Sequence, residues 1–277
     1  MIQSELQGKI AIVTGAAAGI GKALTEAFVV QGIRVAAMDI DQAGVMALQD
    51  AHGKDAVLAL KVDVSDPASC EAAVAATVSQ FGGLDILVNN AALGMNAVHP
   101  RYQARNMQIE DVSEETWQRF MMVNICGPFF MSRQVVPVLR TRKWGRIINV
   151  GTSFFTMLRP GFSPYGPSKA AVEAYSLMLS RELEGSGITV NVVLPGGPAN
   201  TQMVPDEEGL DRATLIPVEI MAPPMLALFT KAGDGITGQR ILAIDWDPAL
   251  ADPAAQKMRS AAWPELAIPL AALPKKN

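Results

Sequence analysis

The stretch Lys9-Ile-Ala-Ile-Val-Thr-Gly-Ala-Ala-Ala-Gly-Ile-Gly21 (KIAIVTGAAAGIG) changes character halfway along. Residues 9–14 are a short, nearly continuous apolar run, as in a strand covered on both faces. The second half carries Gly15, Gly19 and Gly21, with Ala18 and Ile20 between the last three small positions, and runs into a helical pattern over 21–31. Glycine lets the chain turn sharply and leaves no Cβ between the backbone and an approaching group. The first N–H groups of a helix lack intrahelical partners and sit at the positive end of its dipole. Strand, glycine turn and helix start, in that order, make a seat for a phosphate.

The same alternation continues outward. Further strand-like runs occupy 33–39, 56–62, 84–89, 145–150, 188–194 and 240–244, and helical patterns occupy 43–51, 67–81, 113–140, 167–184 and 217–231. Strands alternating with single helices imply a parallel, doubly wound α/β sheet of about seven strands, with helices on both faces. Asp66-Pro67 and Ser113-Glu114-Glu115 mark helix starts, a capping side chain followed by proline or by negative charge in the first turn. No linker divides the chain, so residues 1–247 read as a single domain. Residues 248–277, rich in Pro and Ala, form an extension that packs on the domain or on a neighbouring subunit. Residues 94–112 are a long polar connection with His99, Arg101 and Arg105, leaving a strand at the end where ligands bind in such folds.

Composition narrows the function. The 277 residues are 49% apolar and 18% charged, with a net charge of −4, which offers no basic footprint for nucleic acid or an anionic membrane. Cys70, Cys126, His52 and His99 show no metal-ligand spacing, so no metal site is expected and the cysteines read as small core residues. There is no secretory leader pattern at the start and no apolar run near the roughly 18–20 residues of a membrane span. A cytoplasmic protein acting on a small molecule is the expectation.

Asp39 closes the second strand, 18 residues after Gly21, with Ile40 next to it. A carboxylate there accepts both ribose hydroxyls of adenosine and repels a 2′-phosphate. Ala18 supplies no cation for such a phosphate either. Both positions favour NAD over NADP. Asp41 is better placed than Asp39 to cap the next helix.

The stretch Gly151-Thr-Ser-Phe-Phe-Thr-Met-Leu-Arg-Pro-Gly-Phe-Ser-Pro-Tyr-Gly-Pro-Ser-Lys169 sets a phenol, Tyr165, one helical turn before an ammonium, Lys169. Together with Gly15-x-x-x-Gly19-x-Gly21, Asp63-Val64, Asn89-Asn90-Ala91, Val123-Asn124, Asn149 to Thr152, Pro195-Gly196 and Ile236-Thr-Gly-Gln239, it resembles the short-chain dehydrogenase/reductase family over roughly residues 6–247. The resemblance implies a Rossmann-type fold and an NAD-linked site that interconverts an alcohol and a ketone. It makes Tyr165 the acid/base, Lys169 its partner and a ligand of the nicotinamide ribose, and Asn124 the fourth catalytic residue. An ammonium one turn away, together with the cationic nicotinamide, is expected to draw the phenol's pKa down from about 10. Asp63 and Val64 are implied at the adenine, Asn90 and Ala91 on the adenosine side, and Pro195 and Gly196 beside the nicotinamide. Thr201, or Asn200 at the commoner spacing, would hold the carboxamide.

For the catalytic hydroxyl, spacing favours Thr152 and residue type favours Ser153; both stay candidates. Ala92 stands where the family commonly has glycine, and Asp245-Trp246-Asp247 replaces the usual Asp-Gly-Gly. Phe154, Phe155, Met157, Leu158, Met203, Val204 and Met221 fall in the family's substrate loops and are expected to form an apolar pocket. Arg101 and Arg105 raise the idea of a carboxylate on the substrate. Relatives pack as dimers or tetramers, so a homo-oligomer is implied. A redox-inactive NAD-binding regulator of the same fold is the competing expectation.

Overall fold

The computed structural model describes residues 2–263 apart from 104, 106, 207–209 and 251, so the second half of the C-terminal extension lies outside the described residues. After a short helix α1 (Ile2–Leu6) comes strand β1 (Ile10–Thr14). Successive strand side chains point to opposite faces. Ile10 and Ile12 accordingly join one apolar layer, and Ala11 and Val13 the other. Both faces need cover, and the chain provides it by alternating α2 (Gly19–Val30), β2 (Arg34–Asp39), α3 (Gln42–His52), β3 (Val57–Lys61), α4 (Pro67–Phe81) and β4 (Ile86–Asn89). The second half runs α5 (Glu114–Met121), α6 (Gly127–Arg142), β5 (Gly145–Val150), α7 (Phe154–Met157), α8 (Tyr165–Glu182), β6 (Ile188–Leu194), α9 (Ala222–Leu228), β7 (Gln239–Leu242) and β8 (Arg259–Ser260).

The strands form one sheet in the order β3-β2-β1-β4-β5-β6-β7-β8. Every pairing up to β7 is parallel, and β8 lies antiparallel to β7. Side chains of α2, α3 and α9 cover one face, and those of α4, α6 and α8 the other. Strand order reverses between β1 and β4, which opens a crevice at the carboxyl ends of these two strands.

The seven expected parallel strands are present, and the extension adds an eighth, two exposed residues with no strand-like pattern. Two expectations are corrected. The 113–140 helix is interrupted by a π-helical turn, Met122–Cys126. The 217–231 helix shrinks to α9 behind a 3-10 turn, Val218–Met221, because Pro223 and Pro224 fit only at a helix start. Among the described residues no helix is long and apolar enough to cross a membrane.

Candidate active site

The glycine turn is stitched to the loop after β4. The Thr14 hydroxyl accepts from the Asn90 and Ala91 N–H groups, both at 3.0 Å. The Asn90 amide donates to the carbonyls of Thr14 at 2.9 Å and Gly15 at 3.0 Å. Gly15 has φ +65°, and a Cβ there would stand 2.8 Å from the Ala91 Cα. A Cβ on Gly21 would overlap the Gly15 carbonyl oxygen. Ala18 precedes α2 without a side-chain cap, so no side chain competes for the first N–H groups of that helix. A bare, close-packed backbone at a helix N-terminus fits a pyrophosphate. Asn90 thus builds the turn with its amide group.

Asp39 ends β2 with its carboxylate accepting from Ala17 N–H and Asp41 N–H, each at 3.0 Å. Asp41 caps α3 by accepting from Gly44 N–H at 3.1 Å, so the two carboxylates have separate jobs. Each Asp39 oxygen keeps acceptor capacity for a ribose hydroxyl. Ile40 beside it is exposed. Asp63 is exposed and holds Ser65 through its N–H and hydroxyl, at 2.9 and 2.6 Å. Val64 is buried, facing Gly127, so its side chain belongs to the core. Across the crevice, Pro195 is followed by Gly196 at φ +105°. Thr201 packs its methyl over Gly19, where a Cβ would be 3.0 Å away, whereas Asn200 accepts from Arg212 at 2.7 Å. Of the two, Thr201 is the one at the glycine turn.

Beyond β5 lie the groups able to move protons. The Lys169 ammonium, nearly buried, donates to the Val150 carbonyl at 2.9 Å and stands 5.9 Å from the Tyr165 ring centroid. The Thr152 hydroxyl lies near enough to the Tyr165 phenol to favour its ionised form. Ser153 is used differently: it caps α7, accepting from Thr156 N–H at 3.1 Å. Asn124, on the π-turn, accepts from Leu93 N–H at 2.7 Å and donates to the Leu93 carbonyl and the Ser168 hydroxyl, both at 3.0 Å. It ties the loop after β4 to the residue preceding Lys169.

Burial dominates both ionisable groups. It pushes the Tyr165 phenol up to about 12, with Thr152 opposing and Tyr102 adding, and pushes Lys169 down to about 8. In the chain by itself burial sets the direction for the phenol, and the Lys169 ammonium is bonded to the Val150 carbonyl. Between pH 8 and 10.5 the unfolded chain binds a proton at Lys169 that the folded chain does not, so stability rises with pH across that window. Below pH 8 the buried ammonium costs roughly 3 kcal/mol. Lys169→Met is therefore expected to raise unfolding free energy at pH 7 by about 1–3 kcal/mol, the loss of the Val150 contact offsetting part of the gain. Urea unfolding at pH 7 and 10 checks this: the gain should shrink at the higher pH, and no gain at pH 7 would contradict it.

The expected apolar pocket is partly corrected. Met221 is fully buried in the core with α2 and α9. Phe154 stacks on Trp263, and the Arg240 guanidinium lies over its ring. Phe155 and Leu158 are exposed, while Met157 and Val204 are buried. Met203 lies against Gly94. Trp246 covers core. Arg105 is paired with Asp111 at 2.7 Å, so it is not a free cation for a substrate. The 94–112 connection instead contributes Tyr102, which clusters with Met95, Met107, Phe162 and Tyr165. Its signal in the sequence is an aromatic residue inside a polar loop, next to Arg101 and near Arg105.

Residues 9–209 match the family model described as short chain dehydrogenase. The chain is 36% identical over 191 residues to 3-oxoacyl-(acyl-carrier-protein) reductase FabG of Vibrio cholerae, covering 69% of this chain and 74% of that one. It is 35% identical over 192 residues to D-threitol dehydrogenase of Mycolicibacterium smegmatis, covering 69% and 70%. Among solved structures, 3-ketoacyl-(acyl-carrier-protein) reductase from Brucella melitensis complexed with NADH superposes with a TM-score of 0.74 at 29% identity, over 86% of this chain and 96% of that one. With residues 9–209 matching that family model and relatives at 35–36% identity, this chain belongs to the short-chain dehydrogenase/reductase family of oxidoreductases.

Proposed function

We propose that the protein is an NAD(H)-dependent oxidoreductase interconverting a secondary alcohol and a ketone. One observation carries this: the Lys169 ammonium stands 5.9 Å from the Tyr165 ring one turn away, with the Thr152 hydroxyl near the phenol, in the crevice that holds the glycine turn. The turn from Gly15 to Gly21 would seat the pyrophosphate, Asp39 the adenosine ribose, Lys169 the nicotinamide ribose and Thr201 the carboxamide. The nicotinamide, when bound, supplies or accepts the hydride.

The chain's own groups handle the proton. Tyr165, protonated throughout the neutral range, donates to the oxygen of a ketone as it becomes an alcohol. Thr152 holds that oxygen with a hydrogen bond, and Asn124 keeps the Lys169 end of α8 in register with the loop after β4. In the oxidative direction Tyr165 must first lose its proton, so alcohol oxidation should rise with pH between 7 and 10 while ketone reduction stays flat or falls. Rate profiles at 340 nm check this, and an oxidation rate independent of pH would contradict it.

Tyr102, Phe162, Met95 and Met107 around Tyr165 support an apolar or aromatic substrate. The Asp39 carboxylate supports NAD, since like charges brought together cost several kcal/mol; NAD should be preferred over NADP by about 100-fold in kcat/KM. Exposed Phe129, Met122 and Met178 on the helices support a homodimer or tetramer. The test is an alcohol and ketone panel followed at 340 nm with both cofactors. Tight NAD binding with no turnover on any member would replace the proposal with a redox-inactive NAD-binding protein.

A further inference from the structure

Glu173 and Arg240 form an ion pair, Nε to Oε1 at 2.9 Å, with side chains 0% and 5% exposed. Such a pair is a poor source of stability, because desolving both charges offsets most of their attraction and apolar residues would pack as well. Its surroundings suggest another use. Arg240, on β7, reaches past β6 and donates through Nη2 to the Thr152 carbonyl at 2.8 Å. Its guanidinium lies 4.1 Å over the Phe154 ring, which stacks on Trp263 at 5.6 Å. Glu173 sits on α8 one turn beyond Lys169, and the Ala262 N–H also interacts with its carboxylate. Ala262 holds φ +55°, a left-handed conformation that residues other than glycine rarely adopt. Strain of this kind persists where surroundings over-determine the backbone. Arg259, the β8 partner of Arg240, is the other charge acting on the guanidinium.

The segment after β5 is thereby pinned residue by residue. The Val150 carbonyl accepts from Lys169, Gly151 N–H donates to Val193 at 3.0 Å, the Thr152 carbonyl accepts from Arg240, and Ser153 caps α7. The Thr152 side chain is left to meet Tyr165.

We propose that Arg240 is a positioning residue: clamped by Glu173 and by the 259–263 segment of the C-terminal extension, it fixes the Thr152 peptide so that the Thr152 hydroxyl meets Tyr165. The pair spans residues inside and outside the 9–209 stretch that carries the family match, so β7 contributes to the site from beyond it. The proposal rests on Tyr165 acting as acid/base.

The test separates positioning from mere support. Arg240→Met alone leaves a buried carboxylate without its cation and should lower thermal stability. Glu173→Leu with Arg240→Met removes both charges and should recover it. If Arg240 positions Thr152, the double variant still shows kcat about 10–100-fold below wild type, with KM for NADH within about twofold. Return of kcat together with stability would overturn the proposal. Arg240→Lys, which keeps the charge but not the two-pronged geometry, should fold and lose part of kcat. Crystal structures of the double variant and of Arg240→Lys give a readout independent of turnover: the Thr152 hydroxyl is expected to leave Tyr165, and an unmoved hydroxyl would overturn the proposal. Tyr165→Phe is assayed in the same series. Equal turnover by wild type and Tyr165→Phe would refute the acid/base assignment, and the crystal structures would still decide whether Arg240 places Thr152.

Discussion

Replacing Tyr165 with Phe is expected to lower kcat by about 10²–10⁴-fold, the range that a positioned acid/base contributes. The ring that packs with Tyr102, Met107 and Phe162 remains, so the aromatic cluster over the site is kept. Only the hydroxyl is lost, together with its contact with Thr152. Loss of one side-chain polar contact costs about 1 kcal/mol of stability, far too little to unfold a domain of this size. Dinucleotide affinity should stay within about threefold, because the turn between β1 and α2 is untouched. Initial rates at 340 nm and NADH fluorescence titration separate the two effects. Retained turnover in Tyr165→Phe would remove the acid/base role.

Gly21→Ala is expected to act on the opposite half of the site and more bluntly. The added methyl would overlap the Gly15 carbonyl and come 2.6 Å from the Asn90 amide nitrogen, both parts of the stitched turn. Neither is the free end of a flexible side chain, since Asn90 is held by the Thr14 and Gly15 carbonyls. The backbone must move, at a cost of about 1–3 kcal/mol in stability. It must also move where a pyrophosphate would sit, so NADH affinity should fall by about 100-fold or more. Calorimetric unfolding and fluorescence titration measure the two losses. Unchanged NADH affinity in Gly21→Ala would show that the dinucleotide does not use this turn.

The parts of the molecule legible from residue order alone are those set by local chemistry. β5 and β6 occupy the strand runs read from the residues, 145–150 and 188–194, where Ile147, Ile148, Val190, Val192 and Val193 favour an extended chain. The division of labour between Asp39 and Asp41 followed from their distance to the helix start. Contacts between distant residues lie beyond local pattern. The break at Met122–Cys126 depends on Asn124 being held by Leu93, 31 residues away, while the apolar period runs through it undisturbed. Whether Thr152 or Ser153 lies against Tyr165 turned on α7 needing a cap, which appeared only once that four-residue helix was in place. Met221 falls in a stretch that the family resemblance makes a substrate loop, yet Pro223 and Pro224 start α9 directly behind it and its side chain drops into the core. The Glu173–Arg240 contact joins residues from α8 and β7, and no spacing rule relates them.

The most direct measurement is a crystal structure with NADH bound. The account predicts the pyrophosphate over the Gly15–Gly21 turn, the adenosine ribose on Asp39, and the reactive face of the nicotinamide turned toward the Tyr165 oxygen with Lys169 on its ribose. A dinucleotide seated elsewhere, or a Tyr165 oxygen directed away from the nicotinamide, would contradict it.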